Sequence, residues 1–109
     1  AGCSGSEAAP ARETAPRIAA IAGWPQLSAG AKFGNVSAVD VDDQGRVYVL
    51  HRADRQWSEP FPADPIADPP VFVFDGASGR LLARWGAGEF IMPHGLSIDA
   101  EDKVWITDV

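Results

Sequence analysis

From Val36 onward the chain alternates short apolar runs with clusters of turn residues. Val36 to Val41 is followed by Asp42-Asp43-Gln44-Gly45 and then by Arg46 to His51. Two such runs joined by Asp- and Gly-bearing turn chemistry predict a β-hairpin. Val71-Phe72-Val73-Phe74, the turn Asp75-Gly76-Ala77-Ser78-Gly79 and the run Arg80 to Trp85 predict a second. Gly95 to Asp99 and Lys103 to Asp108 predict a third. Val47-Tyr48-Val49-Leu50 and Val71 to Phe74 are apolar without alternation, which suits strands covered on both faces. Ahead of these, Ile18 to Ile21 is a short apolar stretch ending at Gly23-Trp24-Pro25. An outer strand is the preferred reading there, with a helix as the alternative, and Leu27 to Gly34 is a connection.

The first and third hairpins are copies of one layout. Val39 aligns with Leu96, Val41 with Ile98, Asp42 with Asp99, Val47 with Val104, Tyr48 with Trp105 and Val49 with Ile106. Every pair is 57 residues apart (96 − 39). A fixed offset carrying one strand–turn–strand pattern marks an internal repeat. Four antiparallel strands followed by a restart predict an all-β chain of the β-propeller type, with about one and a half four-stranded blades. A propeller closes with about 4 to 8 blades. The chain is therefore expected to be a piece of a longer propeller and to require the remaining blades. In isolation it is expected to show neither activity nor a cooperative thermal transition.

Ala53 to Pro70 breaks the rhythm. It holds Pro60, Pro62, Pro65, Pro69 and Pro70 together with Asp54, Asp64 and Asp68. Proline removes ladder donors, so this is a loop between the second and third strands. Loops of this length inside compact domains commonly carry function.

Charge and cysteine content narrow the setting. The 109 residues carry 9 basic and 15 acidic side chains, a net charge of −6. The basic residues are scattered, which argues against nucleic acid and against an anionic membrane surface as partners. No apolar run approaches the roughly 20 residues of a membrane helix. Cys3 is the single cysteine. Ala1-Gly2-Cys3-Ser4 looks like the end of a bacterial lipoprotein signal, in which the cysteine receives lipid. Residues 1–17 then read as a lipobox remnant and flexible tether, and residues 18–109 as the first blade and the start of the second. The expected location is extracytoplasmic, in the cell envelope, with membrane contact only through a lipid at Cys3.

Few side chains offer chemistry. His51 and His94 are the two histidines. His94 opens an inner strand, where it reads either as a structural histidine or as one ligand of a zinc that needs about three. Arg52 and Asp54 read either as a surface pair or as a carboxylate clamp on the Pro-rich loop. Trp57 and Phe61 would line a pocket or pack the loop down. Asp42, Asp43, Asp99 and Asp102 are turn residues first.

These motifs resemble the NHL-repeat propellers, and within them the peptidyl-α-hydroxyglycine α-amidating lyases. The resemblance rests on Gly34-Asn35-Val36-Ser37-Ala38-Val39-Asp40-Val41-Asp42, on His51-Arg52-Ala53-Asp54-Arg55-Gln56-Trp57, on Pro93-His94-Gly95-Leu96-Ser97-Ile98-Asp99 and on Val104-Trp105-Ile106-Thr107-Asp108-Val109. It implies a six-bladed propeller with zinc in its central channel, cleaving a peptidyl-α-hydroxyglycine to a peptide amide and glyoxylate. It implies His94 as one zinc-ligand histidine, Val39 and Leu96 as backbone-carbonyl ligands of a structural calcium, and Arg52 as an active-site residue. Asp54 and Trp57 fall on the substrate loop. Ala53 and Arg55 depart from the family's usual Gly and His. The remaining zinc histidines, the calcium aspartate and an active-site tyrosine would lie in later blades. Two rival readings are a non-catalytic NHL propeller that binds protein or carbohydrate and a calcium-dependent propeller lactonase. The paired motifs around Arg52 and His94 favour the lyase over the lactonase.

Overall fold

The computed structural model describes residues 15–27 and 31–109. Cys3 and most of the expected tether lie outside them. Six strands follow in order: β1 Val36–Val41, β2 Arg46–His51, β3 Val71–Asp75, β4 Leu81–Trp85, β5 Pro93–Ile98 and β6 Val104–Asp108. β1 to β4 form one antiparallel sheet in sequence order, and β5 pairs with β6 in a second. This is an all-β architecture of one complete blade and half of the next, with no helix among the described residues.

The period-two geometry of strands sorts the blade's side chains onto two faces. Val49, Phe72 and Phe74 form one buried cluster, covered by Trp24, Phe33, Val47 and Leu81. Leu50, Val71 and Val73 form the other, covered by Ala38, Tyr48, Leu96 and Ile106. The second cluster is the joint between blades, because Leu96 and Ile106 belong to β5 and β6. Covering on both faces explains why Val71 to Phe74 is apolar at every position, and all four residues are buried.

Ile18 to Ile21 forms no strand, and Ile18 and Ile21 are 98% and 73% exposed. The stretch lacks a partner edge among the described residues, so its apolar character alone does not build a ladder. The blade is instead closed by Trp24 and Gln26. Trp24 Nε1 donates to the Gly76 carbonyl at 2.9 Å. Gln26 makes an isolated parallel bridge to Arg80, with its N–H on the Gly79 carbonyl at 2.7 Å.

The 57-residue repeat extends to individual hydrogen bonds. Asp42 Oδ1 accepts the N–H groups of Gln44 and Arg46 at 3.0 and 2.9 Å. Asp99 Oδ1 accepts those of Glu101 and Lys103, both at 2.9 Å. The left-handed position of each turn is Gly45 (φ 79°) in the first hairpin and Asp102 (φ 62°) in the third. Asp is one of the few residues that tolerates this region.

Burial of Asp42 would raise its carboxyl pKa. The Arg46 and Gln44 N–H groups and the Arg46 guanidinium, whose Nε lies 2.6 Å from Oδ2, outweigh that and lower it. A lowered folded pKa gives stability that is present above the ordinary value of 3.8 and lost as pH falls below it. In the full-length protein, Asp42→Ala is expected to cost about 2 kcal/mol at neutral pH by leaving two backbone donors without their acceptor. Urea denaturation measures this, and the acid limb of the stability curve should become shallower in the variant.

Candidate functional site

The site forms where the two inner strands, β1 and β5, lie side by side. Asp40 on β1 reaches across and accepts the Ile98 N–H at 2.7 Å, while its other oxygen takes its neighbour Val41 N–H at 2.8 Å. These two backbone donors, Ile98 first, lower the Asp40 carboxyl pKa against a small opposing effect of burial. The seam continues upward with Ser37 Oγ donating to the Pro93 carbonyl at 3.4 Å.

Each inner strand carries a bulge at the same repeat position. The β1–β2 register shifts between Val36 and Ala38, and the β5–β6 register shifts between Pro93 and Gly95. The residues passed over are Ser37 and His94. A bulged residue leaves the ladder unpaired and its side chain is re-aimed. His94 is accordingly exposed at the top of β5.

Arg52 immediately follows β2. Its N–H donates to the Asn35 carbonyl at 3.0 Å, and its own carbonyl accepts the Arg55 N–H at 2.8 Å. The side chain crosses the blade joint. Nε donates to the Pro93 carbonyl at 2.9 Å, and Nη2 lies 3.0 Å from His94 Nδ1. A guanidinium has donors only. Nδ1 is therefore the acceptor, and the proton of the neutral His94 ring sits on Nε2. The surface pairing of Arg52 with Asp54 does not form: neither an ion pair nor a hydrogen bond joins them among the described residues.

Gly34 sets the depth of this arrangement. A Cβ there would overlap the Ala53 carbonyl oxygen, so only glycine lets the segment after Arg52 fold down onto the start of β1. Ala53 itself adopts φ 52°. His51 locks the same corner. It is 1% exposed, and its Nδ1 accepts the N–H groups of Gly34 and Ala53, both at 3.1 Å. Asp108, one repeat later, does the same work by accepting the N–H groups of Ile91 and Met92. His51 is thus a buried cap, a role that spacing alone did not reveal. The signal was present in the repeat, because Gly34 and Ile91 are offset as His51 and Asp108 are.

The remaining sequence candidates lie apart from the Arg52–His94 pair. Trp57 is 61% exposed and meets Phe61 edge-on, with ring centroids 5.0 Å apart. Their loop is clasped by Arg55 Nη2 on the Asp64 carbonyl at 2.9 Å and anchored by buried Ile66, whose N–H donates to the Phe90 carbonyl at 2.7 Å. Asp54 lines a cavity of about 430 Å³ with Phe33, His51, Asp68, Phe72 and Arg84. Val39 and Leu96 occupy equivalent places on β1 and β5, Val39 exposed and Leu96 half-buried. Among the described residues no group of three or more His, Cys, Asp or Glu side chains is placed to hold a metal.

The chain is 36% identical over 104 residues to peptidyl-α-hydroxyglycine α-amidating lyase 2 of Drosophila melanogaster, covering 86% of this chain and 25% of that one. It is 35% identical over 96 residues to lyase 1 of the same organism, covering 79% and 17%. It is 31% identical over 86 residues to the peptidylglycine α-amidating monooxygenase of Rattus norvegicus, covering 70% and 9%. Its homologues are the amidating lyases. The chain spans a quarter or less of the length of these relatives. No protein-family profile matches it.

Burial holds the His51 pKa below its ordinary 6.5, against the Pro69 carbonyl and the Asp68 carboxylate, which favour the charged ring. The neutral ring is the one the fold needs, because a protonated Nδ1 would face two N–H donors. Stability from this group is full above pH 6.5 and lost as pH falls through the depressed folded value. The full-length protein is expected to lose thermal stability as pH falls below 6.5. The same melts on His51→Asn should show a lower but flatter profile in that window.

Proposed function

We propose that this chain contributes its two inner strands to a propeller that cleaves peptidyl-α-hydroxyglycines to a peptide amide and glyoxylate. The observation that carries the proposal is the Arg52–His94 pair, 3.0 Å apart across the blade joint. Both residues sit in the motifs through which the chain resembles its homologues.

His94 fits a place in a zinc centre by its chemistry: it is a nitrogen donor, exposed, and held by a bulge on an inner strand. One histidine does not hold a catalytic zinc, which takes about three protein ligands. The other ligands would come from later blades. When bound, zinc supplies Lewis-acid activation of a substrate hydroxyl or carbonyl oxygen. Calcium would be held in part by the backbone carbonyls of Val39 and Leu96, in a structural role.

Arg52 would bind the substrate. A peptidyl-α-hydroxyglycine ends in a carboxylate, and a guanidinium binds a carboxylate with two parallel hydrogen bonds. The Nε–Pro93 bond fixes the plane of the guanidinium, and with one Nη2 N–H on His94 the remaining Nη N–H groups would be the donors for substrate. The same fixed positive charge would stabilise negative charge developing on the substrate hydroxyl oxygen as it loses its proton and the carbon–nitrogen bond breaks. The loop bearing Asp54 and Trp57 would border the peptide portion.

Cys3 would carry the lipid of an extracytoplasmic, membrane-anchored protein. Stable attachment takes two acyl chains or a second anchoring signal.

Full-length protein is expected to contain zinc and to release glyoxylate from an α-hydroxyglycine-extended peptide. His94→Ala should lower the zinc content. Arg52→Ala should retain zinc and lose about 100-fold in turnover. Full zinc occupancy in the His94 variant would refute its place as a ligand.

A further inference from the structure

Ser37 occupies in the first blade the bulged place that His94 occupies in the second. We infer that its hydroxyl is a second donor to the substrate carboxylate bound by Arg52, which makes Ser37 a specificity-determining residue for substrates that end in a free acid. The inference rests on the proposal that Arg52 binds that carboxylate.

The placement follows from the repeat. Both residues are skipped by their ladders, and a bulge re-aims the side chain it carries. Two strands bulged at one repeat position aim Ser37 and His94 alike. The Pro93 carbonyl then ties Ser37 to Arg52. Its oxygen lies 3.4 Å from Ser37 Oγ and 2.9 Å from Arg52 Nε. One oxygen atom within reach of both side chains puts the hydroxyl and the guanidinium on the same small patch of the seam.

The hydroxyl is also the group there that is easiest to redirect. Hydroxyl hydrogen bonds are commonly about 2.8 Å long, so the 3.4 Å contact is a weak one. The Pro93 carbonyl keeps the Arg52 Nε donor when the hydroxyl turns away, and no acceptor is stranded. A serine hydroxyl rotates freely about its C–O bond. An ionised carboxylate has about four lone-pair sites on two oxygens. A bidentate guanidinium fills two of them. A neighbouring hydroxyl can fill a third. The other carboxylate on this seam, Asp40, is already occupied by the Ile98 and Val41 N–H groups.

The test is calorimetric binding of an N-acetylated dipeptide ending in glycine to the full-length protein, with the dipeptide supplied as the free acid and as the amide. Wild type is expected to prefer the acid. Ser37→Ala should weaken binding of the acid about 10-fold, the loss expected for one hydrogen bond to a charged group, and leave binding of the amide as it was. Equal weakening of both would mark a distorted seam and overturn the inference. So would an undiminished preference for the acid in Ser37→Ala, or wild-type protein that binds acid and amide alike. Ser37→Thr keeps the hydroxyl and should keep the preference. A threonine variant as impaired as the alanine variant would assign the effect to side-chain shape and overturn the role of the hydroxyl. In glyoxylate release from an α-hydroxyglycine-extended peptide, the Ser37→Ala defect should fall on KM rather than kcat. Ser37-dependent binding of the acid without any glyoxylate release by wild type would overturn the lyase reading and leave the carboxylate site standing.

Discussion

The geometry of this chain depends on one seam, the contact between the inner strands of adjacent blades. Asp40 bridges it with a charge-assisted bond to the Ile98 N–H, and the Leu50–Val71–Val73 cluster seals it from behind. Blades of a propeller contact one another through sheet faces, and face-to-face packing alone tolerates sliding. A directional bond from a side chain on one strand to the backbone of the next sets the register of that packing. Arg52 and His94 are 42 residues apart in sequence, one just past a strand of the first sheet and the other on a strand of the second. They meet only because this register is held.

The hairpins and their boundaries were legible in the chain because local chemistry decides them. The turn Asp42-Asp43-Gln44-Gly45 places an acceptor and a left-handed residue where a tight return needs them, and Asp99 to Asp102 repeats the solution with Asp102 in glycine's place. The all-apolar run Val71 to Phe74 announced burial on both faces. Ile18 to Ile21 had similar composition and did not become a strand. A strand needs a partner edge as well as apolar residues, and that requirement is not written into four residues.

The site was only partly legible. Arg52 and His94 were each identifiable from the motifs around them, but their contact was not, because it spans the seam. The bulges at Ser37 and His94 leave no mark in composition, since a bulge is a property of two strands together. His51 was the harder case. Its sequence setting beside Arg52 suggests chemistry, whereas its surroundings make it a backbone cap equivalent to Asp108. The repeat offset contained that answer, once extended from apolar positions to polar ones. It also gives the two halves of the site distinct duties: His51 and Gly34 shape the corner, and Arg52 and His94 meet across the seam.

The most direct test of this account is a double-mutant cycle between Arg52→Met and His94→Gln, read on the stability of the metal-free full-length protein. Residues in direct contact show coupling of at least about 0.5 kcal/mol, whereas distant ones add. The account predicts coupling of that size, lost when Asp40→Ala removes the seam bond. Strict additivity of the two substitutions with Asp40 intact would contradict it.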